Sequence, residues 1–111
     1  MRKKTEMFKV YQHVYIDSRH KPAVAVLVER QSDGNYFRQI ETFPAYDLNT
    51  VARMCWSTYK NMLFEDFGAR EIVLNCNILG RIVAQRERDG SIAEKRMQGV
   101  SYELFATGGD A

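Results

Sequence analysis

Between Asp47 and Gly68 the chain is committed to one long helix, and that commitment limits what the rest can be. Leu48, Val51, Ala52, Cys55, Tyr59, Met62 and Leu63 recur at spacings of three and four through to Phe67. Such spacing gathers them on one face of a 3.6-residue helix. Asp47 can accept hydrogen bonds from the free amides of the first turn, and its charge suits the positive helix end. Gly68 is a natural stop, because the residue just past a helix end often turns left-handed. The apolar stripe needs a sheet to pack on, and the flanking segments supply one.

Upstream, residues 7–17 alternate. Phe8, Val10, Val14 and Ile16 fall on one face, and Lys9, Tyr11, His13, Tyr15 and Asp17 on the other. A period of two is a strand with one buried side. Residues 18–22 form a turn, with Pro22 excluding a helical Lys21. Ala23-Val24-Ala25-Val26-Leu27-Val28 has no polar residue, which predicts a central strand covered on both faces. Ser32-Asp33-Gly34-Asn35 turns the chain into a third, antiparallel strand over 36–43, closing a meander. Downstream, residues 70–78 read as a fourth strand, with Ile72, Leu74, Cys76 and Ile78 alternating against Val73, Asn75 and Asn77. Strand, helix and strand imply a right-handed crossover that leaves the two strands parallel in one sheet.

From Leu79 two readings compete. Asn77 could cap a helix using Ile78, Leu79, Ile82 and Val83, stopped by Gly90. Alternatively, residues 80–87 and 91–97 are strands joined by a tight turn at Asp89-Gly90. Gly80 inside a helix would cost about 1 kcal/mol relative to Ala, and Asp-Gly is the stronger local signal, so the hairpin is favoured. Val100, Tyr102 and Leu104 suggest a last strand or extension with Gly99 as a bulge, and residues 1–6 and 107–111 are expected to fray. The predicted architecture is a single α+β domain over residues 1–111. It consists of an antiparallel three-stranded meander, one long helix packed on the sheet, a returning strand and a C-terminal β-hairpin, in the order β-β-β-α-β-β-β.

Composition limits function more than fold. The 111 residues are 45% hydrophobic with six Phe, six Tyr and one Trp, enough for one self-sufficient core. Sixteen basic against fourteen acidic residues leave a net +2, too mild to argue for nucleic acid alone. The charge is uneven, however: +4 over residues 1–40, −2 over 41–80, and neutral beyond. No apolar run approaches the roughly 20 residues of a membrane helix. No apolar segment follows the charged start Met1-Arg2-Lys3-Lys4-Thr5-Glu6 either. The expectation is therefore a cytoplasmic protein with no membrane partner. Cys55 and Cys76 are too few for a disulfide scaffold or a four-thiolate zinc site and read as small buried hydrophobes. Neither His13 nor His20 stands at zinc-ligand spacing from a cysteine. There is no glycine-rich phosphate loop, no serine elbow and no cysteine–histidine signature. No catalytic residue, metal site or cofactor is expected.

Carboxylates require a closer look. Val14-Tyr15-Ile16-Asp17-Ser18 ends the first strand, Asn49-Thr50-Val51-Ala52-Arg53 opens the helix, and Cys76-Asn77 ends the fourth strand. In element order, residues 10–80 resemble the first half of the ribonuclease H-like fold. There an acid on the first strand, one on the helix and one after the fourth strand hold divalent metal. Asp17 matches the first of those positions, but Arg53 and Asn77 stand where the resemblance implies the other two acids. Carboxylate number sets hard-cation affinity, so the resemblance implies the shape with degenerate or absent metal-dependent nuclease activity. Asp17 would act there with Asp47 or another acid. Glu65-Asp66 reads as a solvated helix end.

Two surfaces remain. On the first strand, Lys9, Tyr11, His13 and Tyr15 face away from the core. Tyr36 and Arg38 on the third strand extend that face, and Arg19, His20 and Lys21 rim it. Aromatics interleaved with cations on an open sheet suit single-stranded nucleic acid. The alternative is that Tyr11 and Tyr15 pack beneath a loop or second layer. On the helix, Arg53, Trp56, Lys60 and Phe64 flank or oppose the buried stripe and together read as a protein-contact or homodimer surface, unless the segment after the fourth strand covers them. A third cluster, Arg81, Arg86, Arg88, Lys95 and Arg96, is interrupted by Glu87, Asp89 and Glu94, which suggests cross-strand pairing. The favoured reading is a small non-catalytic binding or regulatory protein for nucleic acid, using Lys9, Tyr11, His13, Tyr15, Arg19, Lys21 and Arg38. The alternative is a protein-interaction module, an inhibitor or adaptor, using Arg53, Trp56, Lys60 and Phe64.

Overall fold

The computed structural model describes residues 6–44 and 46–97. The elements follow one another as β1 (Met7–Ile16), β2 (Pro22–Arg30), β3 (Tyr36–Thr42), α1 (Leu48–Asp66), β4 (Glu71–Cys76), β5 (Gly80–Arg86) and β6 (Ile92–Met97). The six strands form one sheet in the order β3-β2-β1-β4-β5-β6. Neighbours pair antiparallel except β1 and β4, which run parallel at the centre. The fold is thus α+β, as the sequence pattern predicts, and the hairpin rather than the second helix occupies residues 80–97. The final strand expected around Val100, Tyr102 and Leu104, with Gly99 as its bulge, lies outside the described residues.

Local chemistry accounts for the helix limits. Asp47 is the N-cap: its Oδ1 accepts from the Thr50 amide at 2.7 Å and its Oδ2 from the Thr50 hydroxyl at 3.1 Å. Gly68 takes φ +66°, and the Ala69 amide donates back to the Leu63 carbonyl at 2.9 Å. The helix lies on one face of the sheet. Val51, Ala52, Cys55, Tyr59 and Leu63 share a single core with Phe8, Val10, Val14, Val24, Val26, Val28, Ile72, Leu74, Cys76, Ile82 and Ala84. Gln12 is buried in the same layer, where its Nε2 donates to the Ala52 carbonyl at 3.1 Å and to Cys76 Sγ at 3.4 Å. That polar contact ties the helix to the central strand.

Two expectations are overturned. Trp56 and Phe64 are 5% and 4% exposed and belong to the core. The β5–β6 hairpin widens the sheet beyond the helix and closes over this flank. The Arg86 guanidinium sits 5.4 Å from the Phe64 ring and donates to the Phe64 carbonyl, while Lys60 lies 5.4 Å from the Trp56 ring and pairs with Glu94 of β6. Of the four residues read as a contact surface, only Arg53 is exposed and Lys60 is half-buried. The second correction concerns β2. The sheet carries no second layer among the described residues, so β2 is covered on one face only. Val24, Val26 and Val28 are buried under the helix, whereas on the other side Ala25 and Leu27 are half-buried and only the small Ala23 is fully covered.

Candidate nucleic-acid interface

Strand alternation sends every second residue to the uncovered face, and the pairing register aligns these residues in rows across the sheet. One row crosses all six strands as Arg38, Leu27, Tyr11, Asn75, Arg81 and Met97. A second runs Tyr36, Glu29, Lys9, Val73, Val83 and Lys95. On the β1–β3 side two shorter rows follow, Ile40-Ala25-His13 and Thr42-Ala23-Tyr15. Lys9, Tyr11, His13, Tyr15 and Arg38 therefore share one face, together with Tyr36. The register adds Arg81 and Lys95 to its cations, against the carboxylates of Glu29 and Glu71.

This face is wet and partly apolar. Tyr11 is 37% exposed, Tyr36 64% and Ile40 66%. His13 is exposed and stacks on Tyr15, ring centroids 5.8 Å apart and planes 23° from parallel. Between β1, β2 and β3 the surface dips into a hollow of about 320 Å³, lined by Tyr11, His13, Leu27, Arg38, Ile40 and Asn75. Pockets for small organic groups begin at about 300 Å³, so the hollow is large enough for a planar ring.

The β1–β2 turn presents Arg19 and Lys21, both exposed, just beyond Tyr15. Asp17 builds that turn. Its Oδ1 accepts from the Arg19 amide at 2.8 Å and the Lys21 amide at 2.9 Å, and the Lys21 bond foremost holds its carboxyl below the usual carboxylate range. His20 takes φ +66° in the same turn.

The positions implied by the ribonuclease H-like resemblance have structural employment instead. Asp17 folds the turn. Asn77 bridges β1, its Oδ1 accepting from the Val14 amide at 2.8 Å and its Nδ2 donating to the Val14 carbonyl at 2.9 Å. Among the described residues, no group of three or more His, Cys, Asp and Glu side chains is placed to hold a metal ion. Cys55 and Cys76 are free and buried, and burial foremost pushes the Cys55 thiol up to about 11, a poor nucleophile at neutral pH.

Several of the hairpin charges are bonded within the fold. Glu94 pairs with Lys60, Arg96 donates to the Leu79 carbonyl at 2.8 Å, and Asp89 accepts from Ser91 in the turn. These bonds reach the helix, the β4–β5 connection and the turn rather than across the strand pair.

Sequence reasoning did not place Asn75, Arg81, Leu27 or Ile40 on this face. Each sits on the open face only because of strand order and register, which no local pattern specifies. An asparagine within the otherwise apolar run Ile72-Val73-Leu74-Asn75-Cys76 was the available signal. Compared with protein-family models, curated proteins and solved structures, the chain matches none.

Proposed function

We propose that the protein binds single-stranded nucleic acid on the open face of its sheet and carries no chemistry of its own. The observation that supports this most is the composition of that face. Tyr11, His13, Tyr15 and Tyr36 stand among Lys9, Arg38, Arg81 and Lys95 on a surface that no other element among the described residues covers. Flat rings stack on any base, each worth about 1–3 kcal/mol, while cations meet the phosphates. An open sheet admits splayed single-stranded bases, as other sheet-based binding modules do. Arg19 and Lys21 extend the positive charge from the β1–β2 turn. Trp56 and Phe64 are core residues, which removes the main support for a helix-face interaction module.

The test is fluorescence anisotropy with a labelled single-stranded oligonucleotide across a salt series. Affinity should fall steeply as salt rises, because neutralised phosphates release counterions. Tyr11→Ala/Tyr15→Ala should weaken binding by tenfold or more, from about 1–3 kcal/mol per lost stack, with an unchanged melting temperature. A double variant that binds as tightly as the parent contradicts the proposal.

A further inference from the structure

We propose that the free edge of β3 is a self-association edge, where a second copy of this chain pairs antiparallel and extends the sheet across a two-fold axis through Ile40. The proposal concerns the protein alone and does not depend on the nucleic-acid reading. Two strands end the sheet, and they differ. β6 carries Glu94, Lys95 and Arg96 in succession, and charges, lysine above all, keep exposed edges from pairing. β3 has neither lysine nor proline, and it follows β2 from Thr42 opposite Ala23 to Tyr36 opposite Glu29 without a bulge. Tyr36, Phe37 and Ile40 are exposed along it.

The backbone of this edge is set to pair. The Phe43 amide donates to the Pro22 carbonyl at 2.9 Å, and the Asn35 carbonyl accepts from the Arg30 amide at 2.8 Å. The odd-numbered residues thus turn their amides and carbonyls towards β2, and in an antiparallel ladder the alternate residues turn theirs the other way. Tyr36, Arg38, Ile40 and Thr42 therefore aim these groups outward, where no strand among the described residues meets them.

The side chains select a second copy and its register. An axis through Arg38 would set that cation against itself, and an axis through Glu41 would do the same to the carboxylate; like charges directly opposite are destabilising. An axis through Gln39 would press Phe37 on Glu41. An axis through Ile40 sets Ile40 on Ile40, Arg38 against Thr42, Gln39 against Glu41 and Phe37 against Phe43. Apolar then meets apolar, and the Gln39 amide meets a carboxylate of the kind it already bonds within its own chain at 2.8 Å. The outward groups of Arg38, Ile40 and Thr42 exchange about six main-chain hydrogen bonds in this register. Pro44, next in the outward phase, has no amide to donate and ends the ladder. α1 packs mainly on β1, β2 and β4, which leaves room above β3 for the paired Phe37 and Phe43 rings. The axis stands perpendicular to the sheet, so the two open faces join into one continuous surface.

The experiment is sedimentation equilibrium of the full chain, without nucleic acid, from micromolar to millimolar concentration. The mass should rise from 12.9 kDa to twice that value and stop there. Ile40→Lys changes an exposed side chain and puts two cations at the axis, so the mass should stay at 12.9 kDa throughout, with an unchanged circular dichroism spectrum. Cysteines read the register. Ile40→Cys should oxidise to a disulfide-linked dimer, since opposite residues of a hydrogen-bonded pair lie about 5.5 Å apart at Cα, within disulfide reach. Arg38→Cys should not, because its two copies stand about 13 Å apart along the strands. Cys55 and Cys76 are buried and do not compete. Should a variant not fold, the mass of the parent still decides. A parent that stays at 12.9 kDa overturns the proposal, as does growth beyond two copies, the mark of β3 pairing head to tail with β6. An Ile40→Lys protein that still doubles, or equal cross-linking at positions 38 and 40, overturns it too. None of these results bears on the nucleic-acid reading, which the oligonucleotide titration decides separately.

Discussion

Trp56 and Phe64 determine which surfaces of this protein are free. A helical wheel places Phe64 nearly opposite the stripe Val51-Cys55-Tyr59-Leu63, a position left in solvent only if the sheet is as narrow as the helix. Residues 52, 56, 60 and 64 form a second row at spacing four, and three of them are buried. Lys60, in the same row, extends over the Trp56 ring and reaches Glu94. Phe64→Ala should therefore cost about 3–5 kcal/mol in chemical denaturation, the range for emptying a packed aromatic site, and Phe64→Glu should not fold. A contact-surface residue would instead leave the unfolding midpoint unchanged. Tyr59 is anchored on the other flank of the helix. Its ring lies 6.2 Å from Phe37, and its hydroxyl donates to Glu41 Oε2 at 3.2 Å.

At the scale of elements, α1 was legible because its signals are local and agree: a capping aspartate, a stripe of apolar residues and a terminal glycine. Gly68 holds φ +66° with open space where a side chain would stand. Gly68→Ala should thus destabilise through backbone strain alone, by about 1 kcal/mol; a thermal melt showing no loss would mean that the chain can close the helix another way. The β5–β6 hairpin was legible from Asp89-Gly90, where Gly90 takes φ +92°. Sheet order was not legible. β4 inserts beside β1 rather than beside β3, and this long-range pairing puts Asn75 next to Tyr11 and carries β5 and β6 over Trp56 and Phe64. The apolar run of β2 misled for a related reason. Ala25 and Leu27 are half-buried on the open face, flanked across the strands by Tyr11, His13, Arg38 and Ile40, so their hydrophobicity is used without a second layer.

At the scale of the whole molecule, the described residues form one helix on one side of a six-stranded sheet and leave the other side open. Among the described residues no helix is long and apolar enough to cross a membrane. Its pH response follows from groups placed by this arrangement. Burial foremost, and then Glu41, pushes Cys55 up to about 11 and Tyr59 up to about 12. Both groups hold their protons more tightly folded than unfolded, so stability should be complete below about pH 9 and fall as pH rises towards 12. Tyr59→Phe should flatten the upper part of that decline in urea titrations. Asp17, Asp33, Asp47 and Asp89 are displaced the opposite way, each chiefly by hydrogen bonds from its own turn or cap. Their contribution is present above the ordinary aspartate range and is lost as pH falls through it.

The central claim, that the uncovered sheet face is where the protein meets its ligand, is tested most directly by a heteronuclear NMR titration with a short single-stranded oligonucleotide at low salt. The account predicts that shifted resonances concentrate on Lys9, Tyr11, His13, Tyr15, Arg38 and Asn75 and revert as salt is added. Shifts concentrated on α1, or a spectrum that saturating oligonucleotide leaves unchanged, would contradict it.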